Sequence, residues 1–421
     1  MAHSHSHIPK GELSEETLAR QRKALRIMMV ILIPIGVWTL VGLIVMWPGN
    51  VEEHIQQEAS AYTVDGVTIE DGRIVGVAEV DCSGVEGGGS GSREAPCADL
   101  TVEVTSGPET GEQVQLQLTA AHYQSGAEVD QKVRIFRIPV EGGPASYQFS
   151  DFSRSIPLII YGLAFMVAVV AVARLRGFIS MIGLGFAGFI MVKFMFPALI
   201  SGANPILVGL IGSSAIMFVV LYAAHGFSTR TTTALVGTLF GLGLSALLGW
   251  VATSWGHLTG VSGEDDFVLL ASAPDMQLTS VVICGMILAG LGALNDVTIT
   301  QASAVWELAE TDPEGGNIFR RAMRIGRDHI ASSVYTLVFA TAGASLSVLL
   351  LISIYNRPLL QVIESEEFAV EILRTLVGSI GLVLAIPLTT AIGAAVVGAS
   401  KKSESLKPIV TSGNDKLVDL D

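Results

Sequence analysis

The sequence predicts an α-helical polytopic membrane protein of about eight transmembrane helices, with a small extracytoplasmic β-barrel or OB-like domain inserted between the first and second helix. Three observations predict it. Half of the 421 residues are hydrophobic and only 15% carry charge, well below the roughly 25% of a soluble domain. Apolar runs long enough to cross a bilayer, which takes roughly 20 residues, fall at 25–47, 156–173, 177–199, 204–224, 231–252, 278–298, 330–355 and 373–397. Between the first two runs the pattern changes to the two-residue alternation of half-buried strands.

Taken in order, residues 1–24 form a polar tail that opens on His3, Ser4, His5, Ser6 and His7. Alternating histidines bind soft divalent metals weakly, and a floppy polar tail or tag remnant looks the same in sequence. No second ligand set completes a metal site, and no cofactor is called for. The run 25–47 follows Arg20, Arg22, Lys23 and Arg26 and lacks an A-x-A site after Trp47, so it reads as a retained anchor helix. Positive charge before it places the N-terminus in the cytoplasm.

Residues 48–152 form the extracytoplasmic domain, with strands expected at 72–80, 98–105, 113–121, 132–138 and 145–149 and turn chemistry between them. Cys82 and Cys97 fall in this oxidising segment and are expected to pair, closing a loop of about 15 residues worth roughly 3 kcal/mol in the chain-entropy account. Cys284 lies in the sixth span as a small packed side chain. The net charge of −14 is concentrated in this outer segment and argues against a nucleic-acid partner.

Residues 153–400 are the bundle of the remaining spans, and 401–421 a second cytoplasmic tail. Inside loops then carry Arg174 with Arg176, Arg230, the cluster Arg320, Arg321, Arg324 and Arg327, and Lys401 with Lys402. Outside loops near 200–203, 253–277 and 356–372 hold Arg357 as their basic residue, against Glu264, Asp265, Asp266, Glu364, Glu366 and Glu367. The charges therefore alternate as the orientation requires.

Candidate functional residues cluster where the sixth span loses its apolar character. At 100° per residue, Asp296, Thr300, Ser303, Glu307 and Glu310 fall within about 80° of arc and form a polar stripe. A carboxylate at the bilayer centre costs roughly 2.5–3.5 kcal/mol, so a buried Asp296 would face a cavity, an ion or a partner. A membrane ending near Leu294 would instead make the stripe the wet face of a cytoplasmic helix. Lys193 is a second ionisable group inside a span, placed either to snorkel past Pro197 or to pair with an acid. His329 begins the seventh span and is a candidate proton relay, beside Ser332, Ser333 and Thr336. Gly237 and Gly241 stand in the G-x-x-x-G spacing of close helix packing. No Walker lysine, HExxH, G-x-S-x-G or cysteine metal cluster is present, so no enzymatic activity is expected.

Ordered landmarks make the chain resemble the YibE/F family of bacterial multi-pass membrane proteins over roughly 60–355. They are YQFSDFSR at 147–154, ARLRGFISMIGL at 173–184, LISGANPILV at 199–208, GLGALNDVTITQASAVWEL at 290–308 and IGRDHIASSVYTLVFATAGASLSVLLL at 325–351. Gly292, Ala293, Asp296 and Glu307 match the family's central G-A-x-x-D landmark and its later Glu, while Asn295 stands where an apolar residue is common. The resemblance implies a multi-pass protein of the bacterial plasma membrane, without a defined activity. Two functions fit: a permease-like protein for a small ion or solute, or a non-transporting scaffold whose outer domain binds an envelope partner. The lipid bilayer and either such a partner or a second copy of the chain are the expected associates.

Overall fold

The computed structural model describes residues 15–55, 66–82, 96–140, 142–311, 316–355 and 358–401. The histidine stretch at 3–7, Arg93, Arg357, Lys402 and most of the glycine-rich stretch at 87–96 lie outside them. The chain divides into two compact units, Gln56–Arg174 and a second made of Met1–Ile55 with Leu175–Asp421.

The smaller unit is a curled antiparallel sheet. Its strands are β1 (Thr68–Val80), β2 (Cys97–Val104), β3 (Gln113–Leu118), β4 (Lys132–Ile138) and β5 (Ser146–Phe152), in the order β3-β2-β1-β4-β5. The 13-residue β1 pairs with β4 through Thr68–Arg73 and with β2 through Gly72–Val80, and its register shifts between Ile74 and Gly76. That irregularity sharpens the twist, and the edge strands β3 and β5 approach one another. Alternation works as the sequence requires: Ala98, Leu100, Val102 and Val104 of β2 join Ile74, Leu118, Val133 and Ile135 in one core.

The third expected strand is shorter than 113–121. It ends at Leu118, and Ala120–Gln124 turns into a short helix, here α2, where the Thr119 hydroxyl meets His122 Nδ1 at 2.9 Å. Two alanines carry little side chain to hold a pleated surface and favour the helical turn. The disulfide joins Cys82 to Cys97 with their Cα atoms 5.0 Å apart.

In the larger unit, and at its border, the helices are α1 (Glu15–Val45), α3 (Ser155–Ile190), α4 (Phe196–Ile200), α5 (Pro205–His225), α6 (Thr229–Trp255), α7 (Glu264–Ser272), α8 (Leu278–Thr311), α9 (Ile318–Ala344), α10 (Leu346–Tyr355), α11 (Leu359–Ile363) and α12 (Glu366–Lys401). Local chemistry sets their starts. Asn204 accepts from the amides of Ile206 and Leu207, with Pro205 at the first helical position of α5. Ser228 accepts from Thr231 N to open α6, and Asn317 from Arg320 N to open α9.

Among the described residues six stretches, rather than eight, are helical, long and apolar enough to cross a membrane: Leu25–Val45, Ser155–Ile200, Pro205–His225, Thr229–Trp255, Leu278–Thr311 and Glu366–Val397. Two causes account for the difference. The expected second and third runs fuse into one 46-residue stretch, interrupted at Arg174, whose φ of 55° and ψ of −135° leave the helical region. The expected seventh run breaks at Ser345, between the 27-residue α9, which begins at Ile318 and has a polar first half, and a 10-residue α10 too short to span.

Candidate functional site

The core of the larger unit is the crossing of α6, α8 and α12, and small residues let their backbones meet. A Cβ at Gly290 would lie 3.4 Å from the Cα of Gly378, so α8 and α12 touch main chain to main chain there. A Cβ at Gly241 would stand 2.5 Å from Leu294, and one at Gly237 would collide with the Thr389 hydroxyl. Gly381 leaves room for the Ser245 hydroxyl.

Close approach traps polar groups as well as apolar ones. Thr238, Ser245, Thr298, Gln301, Thr389 and Thr390 are all shut from solvent. The hydroxyls of Thr238 and Thr298 lie 2.6 Å apart, and each also reaches its own helix, at Ala234 O and Leu294 O. Thr298 Oγ1 also lies 3.3 Å from Asn295 O, so two protons serve four oxygen contacts and the hydrogens have more than one arrangement. Gln301 bridges three helices: its Nε2 donates to Ala322 O of α9 at 3.0 Å and to Thr390 Oγ1 of α12 at 2.8 Å. Its Oε1, and Ser245 Oγ, have no protein hydrogen-bond partner among the described residues. Buried polar atoms are normally satisfied, which makes these two notable. Towards the other end of the seam Arg374 pairs with Glu371 at 2.7 Å, both about one-third exposed, and Gly285 makes room for the guanidinium.

The sequence-predicted residues lie elsewhere, those of the polar stripe on another face of α8. Asp296 and Glu307 are exposed and Thr300 and Ser303 half-buried, on the side of α8 opposite the buried Leu294, Thr298, Gln301 and Val305. The stripe is thus one continuous face, but it does not line the seam. Its hydroxyls bond their own helix, Thr300 to Asp296 O at 2.8 Å and Ser303 to Ile299 O at 2.7 Å. Lys193 is exposed on a π-helical turn, Met191–Met195, and His329 is half-buried on α9. Among the described residues no ion pair or hydrogen bond joins either of them to the stripe.

Sequence reasoning missed Gln301, Ser245, Glu371 and Arg374. Gln301 falls about 140° round the helix from Asp296, and its membership of the apolar series 294, 298, 301, 305 was the available signal. Arg374 sits inside the last apolar run with Glu371 three residues before it, a spacing that pairs charges on a helix.

In the smaller unit one polar cluster ties the β2–β3 turn to the sheet. Arg137 of β4 clasps Glu109 through two bonds of 2.6 Å, and the Tyr147 hydroxyl adds a third at 3.1 Å. The guanidinium holds the Glu109 carboxyl at about 2, against an ordinary 4.5, and burial raises the phenol of Tyr147.

A bundle of long apolar helices packed through glycines, in a chain that also carries a small curled β-sheet, defines a multi-helix membrane protein. The chain belongs to the YibE/F-like protein family, whose profile matches residues 161–399, more than half of its length. The match starts within α3, after the last strand, and takes in nearly all of α12, beyond the end of the resemblance read from the sequence. No curated protein and no solved structure matches the chain.

Proposed function

We propose that this protein is a permease-like membrane protein that moves a small ion or solute across a bacterial plasma membrane without transforming it chemically, with both termini cytoplasmic. The observation that carries the reading is the polar seam of α6, α8 and α12. Polar atoms shut inside an apolar bundle are costly, and Ser245 Oγ, Asn295 Oδ1, Gln301 Oε1 and Arg374 Nε on these helices have no hydrogen-bond partner among the described residues. The glycine contacts that flank them leave little side-chain interlock to resist sliding of one helix past another. Asp296, Thr300, Ser303 and Glu307 on the reverse face of α8, with Lys193 and His329, are the contacts we assign to cargo outside the seam.

The test uses the phenotype of a gene deletion. Asp296→Asn and Gln301→Leu should each abolish complementation at unchanged protein level, and full complementation by both variants would remove the basis for transport. A scaffold role has one specific observation in its favour, since the β-rich unit is compact and has its own core. Its strand order, with a helical turn between β3 and β4, supports the OB-like barrel expected from sequence. Deleting 60–150 separates the two roles: a bundle-only permease keeps its activity, and a scaffold binding an envelope protein through this unit loses it.

A further inference from the structure

Two cavities meet where α6 begins. One, of about 220 Å³, is polar and is lined by Ser228, Thr229, Arg230, Trp306, Glu307 and Glu310. The other, of about 630 Å³, is an apolar groove between α1, α5 and the start of α6, with Met29, Ile33, Val37, Leu40, Phe218 and Phe227 on its walls. Ser228 and Thr229 line both, so the polar chamber adjoins the groove.

We propose that these two chambers together hold one phospholipid with a primary-amine headgroup, one of its two acyl chains in the groove and its headgroup in the polar chamber. The charges select the headgroup. Glu307 and Glu310, one helical turn apart, offer carboxylates to an ammonium, and the Trp306 ring beside them adds cation–π attraction. Arg230 and the open first-turn amides of α6 receive the phosphate at the positive end of that helix, while Ser228 Oγ is already engaged by Thr231 N. A headgroup carrying only negative charge would place it against two carboxylates. A trimethylated ammonium cannot donate hydrogen bonds to them. The groove excludes polar occupants, since nearly all of its wall is hydrocarbon, with Tyr222 and Thr232 bonded to each other at 3.3 Å. This inference stands whether or not the chain transports a solute; on it Glu307 serves the headgroup, and Asp296, Thr300 and Ser303 remain for cargo.

Native mass spectrometry of the full-length protein, with phosphatidylethanolamine, phosphatidylcholine or phosphatidylglycerol added in turn, tests it. The expected result is one retained phosphatidylethanolamine per chain, bound about tenfold more tightly than either other lipid, as loss of a charged contact implies. E307Q/E310Q should erase the preference over phosphatidylcholine, and Arg230→Ala should weaken both lipids. Val37→Trp should weaken binding without changing the preference, because it fills the groove and leaves the headgroup chamber intact. Equal binding of the three lipids to the wild type, survival of the preference in E307Q/E310Q, or displacement of the lipid by soluble phosphoethanolamine would each overturn the proposal. A variant that misfolds leaves the wild-type ranking to decide.

Discussion

Glu109 and Gln301 show opposite ways of keeping a polar side chain. Glu109 lies at the wet edge of the sheet, where the Arg137 guanidinium holds its carboxyl at about 2. Because the folded value is below the ordinary 4.5, its stabilising contribution is complete above that pH and fades as pH falls from 4.5 towards 2. Hydrogen exchange of the full-length protein should therefore show protection of 107–112 and β4 dropping across that window. In Glu109→Gln the same segments should be less protected at neutral pH and change little on acidification. Gln301 instead sits where water does not reach. Gln301→Leu removes two donated bonds and one unpartnered oxygen, so melting should register a loss of only about 1–2 kcal/mol. Gln301→Glu should cost clearly more, since a carboxylate there gives up its hydration. If the two variants melt alike, Gln301 is more hydrated than its burial indicates.

At the scale of elements, the glycine seam makes a sharper demand. Gly237→Ala drives a methyl into the Thr389 hydroxyl, an overpacking expected to cost about 1–3 kcal/mol. Thr389→Ala removes that hydroxyl, and the double variant should recover most of the loss in a thermal-melt cycle. Additive losses would mean that α6 and α12 do not meet at these residues. The G-x-x-x-G spacing of Gly237 and Gly241 announced a close contact, and the structure supplies its partners. The strands were legible for a similar reason, since their alternation fixes one buried face and the glycine and proline turns mark their ends. The polar stripe at Asp296 was also legible as a face. Which way it pointed was not, because a wheel gives angles between residues and the inward direction depends on the neighbouring helices. The end of β3 was only half legible: the alternation stops at Leu118 and two alanines follow, but the helical turn and the Thr119–His122 contact that close it appear only in the structure.

For the whole molecule, hydropathy located the apolar runs but could not say where one helix stops. The runs either side of Arg174 form a single stretch of helix, with its break at one residue of left-handed backbone, and 330–355 breaks instead at Ser345. Family membership adds that 161–399 is the shared part, with all five strands outside it. Cysteines introduced singly at Glu109 and at Arg324, in a background lacking Cys284, test the proposed orientation. A membrane-impermeant thiol reagent applied to intact cells should label position 109 and spare position 324, and the reverse pattern would invert the topology.

α8 is 34 residues long, about 51 Å at 1.5 Å per residue, while a hydrocarbon core is about 30 Å thick. A rod of that length turns a small tilt into a large displacement at its end. Gly290, pressed against Gly378, is a natural fulcrum, and Glu310 stands about 30 Å further along the same rod. A tilt of about 10° at that pivot swings Glu310 through about 5 Å, enough to widen or shut the chamber it shares with Arg230. Spin labels at Phe227 and Glu310 would register such a stroke as a second distance population, and a single sharp distance under every condition would show the rod to be fixed.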